Sequence, residues 1–199
     1  MESVVRKKLR LLRMPKAKQL LAQLKDVTFT ANSVSSVNYQ LAAMDMNCID
    51  DVKRQFERLI PLEQRHWPTC FIFECVLVYM AVDKSDALLA YLSQTFPKSQ
   101  VISYEQVNLN DRFGQVMLDN LTSRGCGLAG YDACQSKATQ LDRFARAGFD
   151  QSATCELMCD VYKQLPNRVE IERLEFLDDF DIFDQLLQHY AIVTVANWS

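Results

Sequence analysis

Glycine is scarce in this chain. The five glycines among 199 residues, at positions 114, 125, 127, 130 and 148, form no glycine-rich turn from a strand into a helix. The cluster from Gly125 to Gly130 follows a helical pattern instead. The sequence therefore lacks the turn that lets main chain approach a nucleotide-like cofactor closely. Histidine is scarcer still: His66 and His189 stand apart, and neither completes a zinc set with the cysteines. No Ser-His-Asp or Cys-His constellation is found, which argues against nucleophilic catalysis of those kinds. No apolar run approaches the roughly 20 residues of a membrane-spanning helix. No apolar region after the start marks a secretory signal. Excess positive charge is lacking too: the formal net charge of −3 argues against a general nucleic-acid binder.

What is present is an ordinary globular composition, 49% hydrophobic and 24% charged, and enough length for a single domain over residues 1–199. Seven cysteines, an odd number without a regular framework, fit reduced thiols in the cytoplasm. The first 24 residues carry Arg6, Lys7, Lys8, Arg10, Arg13, Lys16 and Lys18 against one acid, Glu2. They read as a helix with a solvated basic face over Val5, Leu9 and Leu12, rather than a transit peptide or nucleic-acid patch.

The run at 70–80, CFIFECVLVYM, is nearly continuous in strand-forming apolar residues and broken by one acid, Glu74. It predicts a parallel strand buried on both faces. A lone acid there must be paired, protonated or facing a ligand, since an unpaired buried charge is costly. Ligands in open α/β sheets lie beyond the carboxyl ends of the strands, so Glu74 and Tyr79 are the first candidates for function.

Around this run, 26–36 reads as a polar connector and 38–43 as a strand. Asp50 caps a helix stopped by Pro61; Asp83 caps another, packed through Leu88, Leu89 and Leu92 and ended by Pro97. A strand at 101–107 precedes a helix capped by Asn110 or Asp111 and stopped by Gly125. The order strand, helix, strand, helix, strand, helix over 38–124 predicts right-handed crossovers and a parallel sheet. Beyond it, Asp132 with Gln135 forms a capping box for a helix bearing Ala138, Leu141 and Phe144. A helix at 152–163 would place Cys155 and Cys159 on one face. Alternation predicts a strand at 169–176. Asp178, Asp179 and Asp181 start a helix, and 191–196 is a final strand.

From CFIFECVLVYM onward the chain resembles leucine carboxyl methyltransferases, which methylate the C-terminal leucine of the protein phosphatase 2A catalytic subunit. The resemblance continues through Tyr104-Glu105-Gln106-Val107-Asn108, Asp111-Arg112-Phe113-Gly114-Gln115 and Cys126-Gly127-Leu128-Ala129-Gly130. It returns in Gln164-Leu165-Pro166 and Leu174-Glu175-Phe176-Leu177-Asp178, collinear from about Tyr39 onward. It implies a Rossmann-like α/β methyltransferase sheet binding S-adenosyl-L-methionine, lacking here its first two strands with their glycine turn. Expected partners are the phosphatase subunit, with no nucleic acid and no membrane, and the protein is expected to be a monomer.

The resemblance implies roles for four residues. Asp45, in Met44-Asp45-Met46, looks like the acid on the adenine side, with Met46 lining the base; helix start is its other reading. Where the family has Asp-Leu-Arg, this chain has Asp45-Met46-Asn47. Glu74 looks like the cofactor-contacting acid; its other reading is a structural pair. Tyr79 looks like the catalytic-site tyrosine facing the substrate carboxylate, or else simple core lining. A carboxylate is already ionised at neutral pH, so such a reaction needs no general base and rests on positioning. Two other functions stay open: a transfer-RNA wybutosine-type carboxyl methyltransferase, and a non-catalytic phosphatase-binding fragment.

Overall fold

The computed structural model describes residues 6, 10, 12–15, 23, 25–30, 33–174 and 177–198. Most of the basic opening segment therefore lies outside the described residues. The chain divides into two compact units, Met1–Leu62 and Glu63–Ser199.

In the first unit, β1 (Thr28–Phe29), β2 (Ser33–Ser35) and β3 (Gln40–Ala42) form an antiparallel sheet in that order. Two of these strands fall where the sequence predicts only a polar connector. Strand β3 pairs antiparallel with β2 instead of joining a parallel sheet. The reason is local: Val34 is fully buried, and Leu12, Val27, Leu41 and Ala43 pack around it. Helix α1 (Ile49–Leu59) follows, with Val52 inward and its end set just before Pro61. Asp50 lies in its first turn, where the dipole favours an acid; Cys48 occupies the capping position.

The second unit is built on a four-stranded sheet of order β4-β5-β7-β6. Strand β4 (Thr69–Glu74) pairs parallel with β5 (Ser99–Gln106), and α2 (Val82–Thr95) is the crossover. Leu88, Leu89 and Leu92 bury α2 as expected, but Ala81, not Asp83, occupies its cap. Strand β7 (Tyr190–Ala196) runs antiparallel to both β5 and β6 (Gln151–Leu157). Asn197 ties the end of β7 to the α2–β5 corner: its Oδ1 accepts the Ser99 N–H at 2.8 Å, and its Nδ2 donates to Ser93 and Phe96 carbonyls.

Helix α3 (Arg112–Ser123) begins at Asp111 and ends at Gly125, whose φ of +72° is the left-handed stop expected there. A 3₁₀ turn, Tyr131–Cys134, leads to α4 (Lys137–Arg146). The capping box of α4 is Ser136 with Thr139, not Asp132 with Gln135. Short helices α5 (Met158–Gln164), α6 (Arg168–Leu174) and α7 (Phe180–Leu187) precede β7, with Asp179 capping α7.

Three further expectations are corrected. The strand predicted over 70–80 ends at Glu74, and β4 is an edge strand with Ile72 72% exposed, not a strand buried on both faces. Residues 151–157 form a strand, because pairing with β7 overrides weak helical periodicity, so Cys155 and Cys159 lie on different elements. The alternating 169–174 segment is helical: Arg168 and Glu172 form an i,i+4 ion pair at 3.2 Å, which the helical period brings together. Among the described helices none is long and apolar enough to cross a membrane. The second unit is thus a mixed α/β sheet with one parallel β4–α2–β5 unit.

Candidate functional site

The apolar run continues past β4 as a sharp change of direction. Cys75 takes a positive φ of 47°, uncommon for a residue with a Cβ, while its N–H stays paired to the Tyr104 carbonyl at 2.8 Å. The next residues form a 3₁₀ turn, Leu77–Tyr79. Such a turn leaves its first N–H groups without internal partners. Glu105 on β5 supplies the acceptors: Oε1 takes the N–H of Val76 at 2.8 Å and of Leu77 at 2.7 Å, and Oε2 takes that of Val78 at 3.3 Å.

Glu105 is 1% exposed. Burial raises its pKa above the usual carboxylate range, while the Leu77, Val76 and Val78 N–H groups and the positive charge of Arg143 pull it back. Arg143, from α4, is fully buried; it donates to the Leu77 carbonyl at 3.4 Å and to the Ser85 hydroxyl, and lies 3.6 Å from Asp86. The Cys75 thiol is pushed up to about 11, first by burial and then by the charges of Glu105 and Glu74.

The turn so held places Tyr79 on the wall of a 340 Å³ pocket. Tyr190 and Gln106 border it from the sheet, where they are register partners joined at 3.4 Å. Tyr104 stacks on Tyr190 at a centroid distance of 5.2 Å. Helix α3 provides the rest: Phe113, Val116, Met117, Asn120, Leu121 and Arg124 all line the pocket. Their spacing of three and four is that of one helix face.

Two interactions fix the start of α3. Asp111 Oδ1 accepts the Gly114 N–H at 2.8 Å, and Oδ2 lies 3.0 Å from His189 Nε2. The other ring nitrogen, Nδ1, is 2.7 Å from the Gln185 carbonyl, which can only accept. The ring is thus held at both nitrogens, between the α7 main chain and the cap of α3. Phe113 covers the ring at a centroid distance of 4.2 Å. Desolvation opposes ionisation of Asp111, but the Gly114 N–H and His189 outweigh it and hold its pKa below the usual range. A depressed carboxylate stabilises the fold above its unfolded pKa and loses that contribution as pH falls through the folded value. Thermal melting followed into acid should therefore show a stability loss in the wild type that Asp111→Asn flattens.

The expected residues divide between the two units. Asp45 and Met46 lie in Met1–Leu62, where Asp45 is exposed; its N–H donates to Asp51 at 2.7 Å and its Oδ1 accepts from Asn47 at 3.1 Å. Glu74 and Tyr79 share one segment of Glu63–Ser199, with Tyr79 on the pocket. The expectation of a water-excluded Glu74 is corrected: it is exposed at the tip of β4. Its side chain makes no hydrogen bond or ion pair among the described residues. The acid buried at the centre of this region is Glu105, one strand over. The helix face with Arg124 was also not singled out from sequence, although its spacing was readable.

A carboxylate left free at a strand tip can meet a cationic ligand. No family model matches the chain. In sequence it is similar to methyltransferases. It is 38% identical to leucine carboxyl methyltransferase 1 of Bos taurus over 161 residues, 80% of this chain and 48% of that protein. The protein of that name from Caenorhabditis elegans is 34% identical over 79% of this chain and 47% of its own length. A transfer-RNA wybutosine-synthesizing protein 4 of Rattus norvegicus is 31% identical over 65% of this chain and 19% of its own length. The chain is thus homologous to the leucine carboxyl methyltransferases, and spans about half the length of the curated relatives it matches.

Proposed function

We propose that the chain carries the substrate side of an S-adenosylmethionine-dependent carboxyl methyltransferase acting on a C-terminal leucine, that of the protein phosphatase 2A catalytic subunit. The observation that carries this reading is Tyr79, a phenol set on the wall of a small pocket of mixed polar and apolar lining, in the turn that follows a parallel strand. The similarity to leucine carboxyl methyltransferases across the same segment supports it. S-adenosylmethionine, when bound, supplies the sulfonium methyl that a carboxylate oxygen attacks. Glu74 is the residue of this unit that would hold it.

Tyr79 donates to the oxygen of the carboxylate that does not react and so fixes the angle of the one that does. The Glu105 cradle keeps Tyr79 in place. No side chain need remove a proton, because the substrate is already an anion. Tyr79→Phe should raise KM by roughly ten- to hundredfold, the worth of one hydrogen bond to a charged group, with methyl-donor affinity unchanged. Transfer of a tritiated methyl group tests the reading. Label should enter the phosphatase subunit or a leucine-ended peptide as an alkali-labile ester. Label entering transfer RNA in place of them would favour the wybutosine-type reaction, and label in neither would remove the catalytic reading.

A further inference from the structure

We infer that the three short helices between β6 and β7, α5 to α7, form a docking surface for a basic amphipathic helix of a partner protein, which sets one bulky apolar side chain among them. The first support is exposure. Neither α6 nor α7 has a buried residue. Helices of seven and eight residues are marginal in water by themselves and depend on covering an apolar face. Here that face is open: Leu174 is 84% exposed, Ile182 61% and Phe180 54%.

The second support is a cavity among these helices. Tyr162 of α5, Ile171, Glu172 and Leu174 of α6, Leu177, and Phe183 of α7 line a space of 280 Å³. That lies below the roughly 300–1,000 Å³ of small-molecule sites and suits an inserted side chain better than a free ligand. The lining is braced from within. Tyr162 meets Phe183 edge-on at 5.3 Å and donates to Glu172 Oε1 at 3.2 Å, and Arg168 pairs with the same carboxylate. None of these residues lines the pocket that Tyr79 borders.

The third support is charge, and it selects the occupant. Residues 158–188 carry eight acids against three bases, a formal −5 where the whole chain has −3. The acids are interleaved with the open apolar residues: Asp179 and Asp181 flank Phe180, Asp181 precedes Ile182, and Glu170 follows Val169. Lys163 and Arg168 are already matched, to Asp184 and Glu172. A partner must therefore bring cations beside its apolar side chains. An anionic lipid surface would be repelled, and a second copy would set acids against acids. A helix with apolar anchors three and four residues apart, flanked by lysine or arginine, meets both demands.

Calorimetry on the whole chain with three synthetic peptides tests this. The probe is an amphipathic helix of leucine and lysine. One counterpart carries glutamate for every lysine, the other serine for every leucine. The probe should bind at least about tenfold tighter than either, and more weakly as salt is added. Leu174→Ser should cut its affinity about tenfold with the melting temperature unchanged, since that side chain is open in the free chain. Asp181→Lys should weaken the probe and flatten its salt dependence. Ile72→Ser, which removes an open apolar side chain on β4, should leave affinity as it was. Equal binding of the lysine and glutamate peptides, affinity indifferent to Leu174→Ser, or no binding would each overturn the inference. Capture by phosphatidylcholine vesicles that Leu174→Ser abolishes would overturn it in favour of lipid. Sedimentation as a dimer that Leu174→Ser dissociates would overturn it in favour of a second copy.

Discussion

Replacing Glu105 by alanine is expected to destabilise the Glu63–Ser199 unit by about 3–5 kcal/mol, the cost of removing one member of a buried, hydrogen-bonded charge system. Three consecutive N–H groups, of Val76, Leu77 and Val78, would lose their acceptor at once. Arg143 would keep its buried charge with less compensation, since Asp86 lies 3.6 Å away and is itself part-exposed. Glu105→Gln should cost less. Its amide oxygen can still serve Val76 and Leu77, while the amide nitrogen faces the Val78 N–H donor to donor. The order wild type, Gln, Ala should appear as successive drops in the midpoint of urea unfolding at constant slope. Amide exchange at Val76 to Val78 should accelerate more than that of β5 and β7. A Glu105→Ala midpoint equal to that of the wild type would mean the cradle contributes nothing.

Gly130→Ala should produce the second largest effect, about 1–3 kcal/mol, because it overpacks a site enclosed by main chain. A Cβ there would lie 2.8 Å from the Leu77 carbonyl oxygen, 2.9 Å from that of Met80 and 3.0 Å from that of Val78. Each belongs to the turn that carries Tyr79 or to the residue that follows it, and the Gly130 N–H donates to the Val78 oxygen at 2.8 Å. Gly130 has φ of −94°, which alanine adopts freely, so the effect is one of contact and not of conformation. Peptide affinity should fall alongside stability, since relief of the contact displaces Tyr79. The control is Gly127→Ala, whose Cβ meets nothing within 4 Å and which should be silent in both measurements. Unfolding midpoints and calorimetry on the two variants decide the matter.

The parts of this fold that were legible in sequence are those where local signals agree. Asp111 and Gly125 bracket α3 with a cap and a left-handed stop, and the leucines of α2 repeat at helical spacing. The β4–α2–β5 unit follows from two apolar runs with a helix between them. What was misread depended on partners distant in sequence. Gln151–Leu157 is a strand because β7 lies beside it, and nothing within the segment announces that neighbour. Residues 169–174 alternate in polarity, yet Glu170, Glu172 and Arg173 are helix formers, and the ion pair from Arg168 to Glu172 follows the helical period.

The site shows the same division. Tyr79 was found through its motif and stands on the pocket. Glu74 was picked for a burial it does not have, because β4 is an edge strand whose outer face is open. The buried acid is Glu105, hidden in sequence because the strand around it is ordinary and its three partners lie 27 to 29 residues earlier.

The most direct measurement is a chemical-shift map of the isotope-labelled chain titrated with a leucine-ended peptide acid. Concerted shifts should appear at Tyr79, Tyr190 and the α3 face from Val116 to Arg124, with the Val76 to Val78 amides following and β6 unmoved. Shifts confined to other surfaces, with those residues silent at saturation, would contradict a substrate pocket between Tyr79 and α3.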